Sequence, residues 1–155
     1  MSIESLYSQI VDDTDMWHSP IHGTRHWLRV RDTALYLAAA TNGDCEVAEY
    51  FSILHDCMRE NEDSDPGHGP RAAHYAAHHR GLIDLTNRQF QMLQRACAGH
   101  TFAKPSGRAG ENATLAACWD ADRLDIGRVG IKPDGRYMFS NVARRLCDSR
   151  GDNER

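Results

Sequence analysis

The feature that most restricts this chain is the spacing of its apolar residues, which recur at three- and four-residue intervals almost throughout. Such spacing lays an apolar stripe along one face of an α-helix, whereas a half-buried strand requires alternation. Ile3, Leu6, Tyr7 and Ile10 share one face of a first predicted helix. A second spans about 23–40, where His26, Val30, Ala34 and Leu37 are spaced four, four and three residues apart. Asn42-Gly43 is a stop signal and Asp44 a cap for a third helix, which carries Val47, Tyr50, Phe51, Leu54, His55 and Met58. The acidic, Pro- and Gly-rich segment 60–70 reads as a loop, followed by a fourth helix over about 71–80. Thr86 and Gln89 have the spacing of a capping box, Phe90, Leu93 and Cys97 continue that helix, and Gly99 closes it before His100. A further helix is expected over about 114–128, then a turn at Pro133-Asp134-Gly135. The pattern predicts an all-α, single-domain helical bundle of five to seven helices over residues 1–147, with a flexible C-terminal tail over 148–155.

With 155 residues the chain can bury a core without covalent staples. Its five cysteines are scattered, odd in number and without a CxxC pair, which argues against a zinc ribbon or a disulfide framework. They suit small buried apolar residues in a reducing compartment, so a cytoplasmic location is expected. No basic leader and no apolar run of membrane-spanning length is present, and no membrane partner is expected. A net charge of −4 supplies no overall field for a nucleic acid polymer. Nine histidines are the compositional outlier.

Several of these histidines fall at helix ends in company with aspartates. His26 lies near the start of one predicted helix, the adjacent His55 and Asp56 near the end of the next, and Asp122 on a late one. Imidazole nitrogens and carboxylate oxygens suit divalent first-row metals, and a helix bundle can aim such groups inward from separate helices. Spacing alone leaves open the alternative that each is an ordinary core or surface residue.

The ordered set of phrases is more specific. His26-Trp27-Leu28-Arg29-Val30, Ser52-Ile53-Leu54-His55-Asp56 and Ala121-Asp122-Arg123-Leu124 resemble, in order, the three motifs of the HD-domain superfamily of metal-dependent phosphohydrolases. The resemblance covers residues 22–128 and implies a bundle of the HD-domain type, with His26, His55, Asp56 and Asp122 holding a divalent metal ion and His55 and Asp56 at the chemical centre. His68 and His100 resemble the additional histidines of branches that bind two ions, so one or two ions are expected. Arg59 stands where those branches often place a Lys. Arg59 and Arg71 are the expected phosphate-binding residues, with Arg25 and Arg29 also flanking the motifs, and the loop 101–110, with Lys104, Gly107, Arg108 and Gly110, is either a phosphate cover or a plain connector.

The implied activity is hydrolysis of a small phosphate ester, a nucleotide or related metabolite, by a phosphomonoesterase or phosphodiesterase. The alternatives are a dinuclear iron oxygenase of the same superfamily and a nucleotide-binding sensor without turnover. The motifs do not distinguish Mn, Mg, Co, Fe and Zn. They leave open the oligomeric state and the roles of His22, His74, His78 and His79. Asp120 is expected to orient a metal-binding histidine or to face solvent, and Asp125 to cap a helix or pair with an Arg.

Overall fold

In the computed structural model, which describes residues 2–106 and 112–151, every regular element is helical. Seven α-helices follow one another: α1 (Ile3–Asp13), α2 (Thr24–Thr41), α3 (Cys45–Leu54), α4 (His68–His78), α5 (Asn87–Gly99), α6 (Ala113–Leu124) and α7 (Asn141–Gly151). Short 3₁₀ turns punctuate them at Met16–His18, Arg80–Leu82, Ile126–Val129 and Gly135–Tyr137. This is the expected all-helical class, at the upper end of the expected helix number.

Local chemistry sets the boundaries. α2 ends where Asn42 takes the left-handed conformation (φ 58°), which a short polar side chain tolerates. Asp44 then caps α3 by accepting the Val47 N–H, and Thr86 and Gln89 form the full capping box of α5. Four boundaries differ from expectation. α3 stops at Leu54, and His55–Met58 continue as a tight turn in which Cys57 and Arg59 N–H groups bond back three residues. α4 begins at His68, earlier than expected, because Pro70 sits in its first turn, where a missing N–H leaves no intrahelical bond unmade. α6 ends at Leu124 and its chain tightens into the 3₁₀ turn Ile126–Val129. α7 runs to Gly151, past the start of the expected tail.

α2 lies at the centre, packed on α3 and α6, while α5 packs on α4 and α3. Trp27, Val30, Leu37, Phe51, Leu93 and Leu124 are sealed between them, each contributing roughly 1.5–3 kcal/mol through burial. Cys57, Cys97, Cys118 and Cys147 are buried free thiols, and Cys45 is exposed. No helix among the described residues is long and apolar enough to cross a membrane.

Candidate metal centre

The helix ends deliver their polar side chains to one place. His26 comes from the first turn of α2, His55 caps the C-terminus of α3, Asp56 follows in the turn, and Asp122 sits in the last turn of α6. Ligand atoms of these four lie within 4.8 Å of one another, and those of Asp56, His68 and His100 do so as well. The two groups share Asp56, so the structure brings together all six residues singled out by the motifs.

The imidazoles are oriented by what their Nδ1 atoms touch. His26 Nδ1 lies 2.7 Å from Asp125 Oδ2, and His100 Nδ1 is 2.7 Å from the Cys97 carbonyl. His55 Nδ1 meets the Phe51 and Ser52 carbonyls at 3.2 and 3.0 Å, and His68 Nδ1 meets the Asp65 carbonyl. Carbonyl and carboxylate oxygens only accept, so every Nδ1 donates and every Nε2 is left to face inward. The Nε2 atoms of His26 and His55 then stand 3.0 Å apart, and those of His68 and His100 stand 2.8 Å apart. Two lone pairs at that separation repel unless a cation, either a proton or a metal ion, lies with them.

The carboxylates complete each half. Asp56 Oδ2 is 3.4 and 3.5 Å from the Nε2 atoms of His26 and His55, and Asp122 Oδ1 is 3.2 and 3.6 Å from them. The other oxygen of Asp56 lies 3.0 Å from His68 Nε2 and 3.5 Å from His100 Nε2. Asp56 Oδ2 and Asp122 Oδ1 are buried and make no hydrogen bond. Ionised oxygens in that condition would cost several kcal/mol without a cation. The donor set therefore fits a divalent metal ion in the first half, and a second ion in the half that Asp56 shares.

The electrostatics point the same way. Burial alone would push the His26 imidazole down, but the carboxylates of Asp122, Asp125 and Asp56 outweigh it and hold its pKa up at about 10. Burial pushes the carboxyls of Asp56 and Asp122 up, and the surrounding imidazoles overcome this, leaving both well below the usual carboxylate range. His55 is lowered by burial. Without a metal, the first half thus retains a proton on His26, and an ion would take that proton's place.

α4 and α5 can bring His68 and His100 this close because Gly69 has no side chain. A Cβ at Gly69 would lie 2.6 Å from the Cys97 carbonyl, the group that orients His100.

Other polar residues stand elsewhere. Arg71 does not face the cluster: its guanidinium binds Asp65 at 2.6 Å and the Met58 carbonyl at 3.1 Å, and it borders a separate groove. Its effect on the site is indirect, since Asp65 presents the carbonyl that orients His68. His74 and His78 are exposed on α4 and line that same groove, as does His79, which is 3.4 Å from Asp13. His22 pairs with Glu62 at 2.8 Å, and Arg25 is exposed. Asp120 neither orients a histidine nor faces solvent. It is buried and accepts from the N–H groups of Phe139 and Ser140, which fastens the start of α7. The histidine-orienting role belongs to Asp125, which caps α6, bonds His26 and also takes an Arg29 N–H at 2.8 Å. An Asp directly after a helix end carries no motif, so only the position next to the Asp122 phrase hinted at it.

The cluster opens into a cavity of about 920 Å³. Asp56, His68, His100 and Asp122 form its floor, and Arg59, Lys104, Arg128 and Lys132 lie around it. Phe102, Ile131 and Tyr137 line its mouth and are more than half exposed. Of the loop 101–110, read as a phosphate cover or a plain connector, residues 101–106 are described and Lys104 lines the cavity, while Gly107, Arg108 and Gly110 lie outside the described residues. Arg128, Lys132 and the exposed apolar side chains escaped the sequence reading because no spacing rule relates them to the ligand motifs.

No protein-family model and no curated protein matches this chain. Among solved structures it is similar to a predicted HD superfamily hydrolase from an uncultured Thermotogales bacterium, with 21% identity and a TM-score of 0.73 over 97% of this chain and 86% of that one. At that level of identity the likeness concerns architecture: this chain has the all-helical fold of the HD superfamily.

Proposed function

We propose that the protein is a metal-dependent phosphohydrolase acting on a small phosphate ester, a nucleotide or a related metabolite. The observation that carries this reading is the pair of facing imidazole couples joined by Asp56 at the floor of a cation-lined cavity. His26, His55, Asp56 and Asp122 would hold one ion, and His68 and His100 with Asp56 a second. Ions held there would supply Lewis acidity, lowering the pKa of a water molecule and polarising a phosphoryl oxygen.

The protein groups have separate tasks. Asp56, with one oxygen toward each half, holds the two halves in register and orients the attacking water between them. His55, stacked on Phe51 with ring centroids 4.8 Å apart, is fixed in one orientation. Arg59, 3.6 Å from Asp56, is placed to donate to a phosphoryl oxygen above the cluster. The cavity is far larger than a phosphate, and the exposed rings of Phe102 and Tyr137 at its mouth suit a leaving alcohol that carries a planar ring, such as a nucleoside. The name of the Thermotogales structure, a predicted hydrolase, agrees with this reading.

The test is metal analysis of protein purified without added metal, then a panel of phosphomonoesters and phosphodiesters with Mn²⁺, Co²⁺ or Mg²⁺. Phosphate release that chelator abolishes is expected. No release across the panel, together with iron-dependent oxygen uptake, would replace the proposal with the oxygenase alternative.

A further inference from the structure

Two arginines stand beside the ligand cluster with donors left unfilled. Arg59 follows Asp56 by three residues, and its Nε lies 3.6 Å from Asp56 Oδ1, the oxygen that faces His68 and His100. Arg128 comes from the 3₁₀ turn after α6. Its Nη2 lies 3.7 Å from Asp122 Oδ1, the oxygen that faces His26 and His55. One guanidinium therefore sits beside each half of the cluster. The side chains are only 11% and 13% exposed, and in both the Nε is buried without a hydrogen-bond partner.

A buried donor left unsatisfied is costly, and both arginines that carry one line the same cavity. Other cations around the cavity behave differently. Arg123 directs its N–H groups to the carbonyls of Tyr137, His100 and Ala103, and Arg136 is doubly bonded to Asp134. Arg59 and Arg128 each have one nitrogen anchored on a carbonyl, Asp63 and Asp125 respectively, which aims the rest of the fork without filling it.

We propose that Arg128 is the second arm of a two-sided phosphate clamp with Arg59, and that the clamp selects a terminal phosphoryl group, as in a phosphomonoester, over a diester. The proposal rests on the phosphohydrolase reading above. A terminal phosphoryl group has three non-bridging oxygens, so one can meet each guanidinium while the third faces the cluster. A diester has two, and its second ester substituent must stand where one arm donates or where the cluster binds. The monoester also carries the larger negative charge, which two guanidinium forks reward.

Isothermal titration of the full-length, manganese-loaded protein with orthophosphate, methyl phosphate and dimethyl phosphate tests this directly, with metal content measured on each sample. Wild-type protein should bind orthophosphate and methyl phosphate at least about tenfold more tightly than dimethyl phosphate, the ratio of roughly one charge-assisted contact. R128Q should keep its metal and its helical circular dichroism while losing at least about fivefold in orthophosphate affinity, and R128K, which keeps charge without the fork, should fall between. A smaller loss in R128Q, R128K equal to wild type, or equal binding of dimethyl phosphate would overturn the proposal. Loss of metal from both variants would also overturn it, by placing Arg128's role at Asp122. If wild-type protein hydrolyses no ester, the functional reading fails, and the orthophosphate titration still decides the clamp.

Discussion

The two halves of the cluster share Asp56 and four inward-facing imidazole nitrogens in all, yet they are built from different material. The His26–His55 half is embedded where α2, α3 and α6 meet, has a carboxylate of its own, Asp122, beside the shared Asp56, and orients His26 with a further one, that of Asp125. The His68–His100 half is assembled from the first residue of α4 and the residue capping α5. It has one carboxylate oxygen, and both histidines are oriented by neutral backbone carbonyls. A carboxylate partner raises the basicity of an imidazole more than a carbonyl does, and a fourth ligand adds to affinity. On the two-ion reading proposed above, the first half would therefore hold its ion more strongly and the second more weakly, with both histidines of the second half on the cavity where substrate would bind.

The largest effect is expected where the halves join. D56A should take metal content from about two ions to none with helical circular dichroism kept, because one side chain serves both halves. An ion retained in D56A would show that the halves are independent. H100A should lose only the weaker site, leaving about one ion per chain, whereas H55A should lose both or the stronger. A full complement in H100A would remove the second half from the site.

D125N keeps an acceptor for His26 but removes its charge. It should weaken the stronger site by about 10–100-fold, measured by competition with a chelator, and leave the other within about twofold. Equal weakening of both sites would erase the proposed difference.

The smallest effect concerns pH. In metal-free protein His26 is held at about 10, above its unfolded value of about 6.5. Its contribution to stability is therefore fully present below pH ~6.5 and is lost as pH rises through about 10. Asp56 and Asp122, held low, contribute above pH ~4 and lose that contribution on acidification. Chelated protein should lose roughly 5 °C or more in Tm between pH 6.5 and 9.5, and metal-loaded protein should not, since the ion stands in for the proton. A flat profile for the chelated form would mean that His26 carries no proton there.

What the sequence determined by itself is what local rules govern. Helical periodicity set the class, and Asn42, Asp44 and the Thr86–Gln89 pair set helix ends, because capping and handedness depend on a few adjacent residues. The motifs around His26, His55-Asp56 and Asp122 pointed to a ligand set for the same reason: each is a short run on one element. His68 and His100 were legible as members of that order, although helix α4 begins earlier than its Gly-Pro pair suggested.

The tertiary structure decided everything that depends on distance between elements. Only the packing of α4 on α5, permitted by Gly69, brings His68 and His100 within 2.8 Å. Only the meeting of α2 with the end of α6 gives Asp125 to His26 and sends Asp120 to α7 instead. Arg71 and Arg128 illustrate the limit: both are basic residues near helix ends. One is bound to Asp65 on another groove, and the other is left with a free Nε beside the cluster. Nothing in the neighbouring sequence distinguishes them, because a side chain's partner is set by where its helix docks.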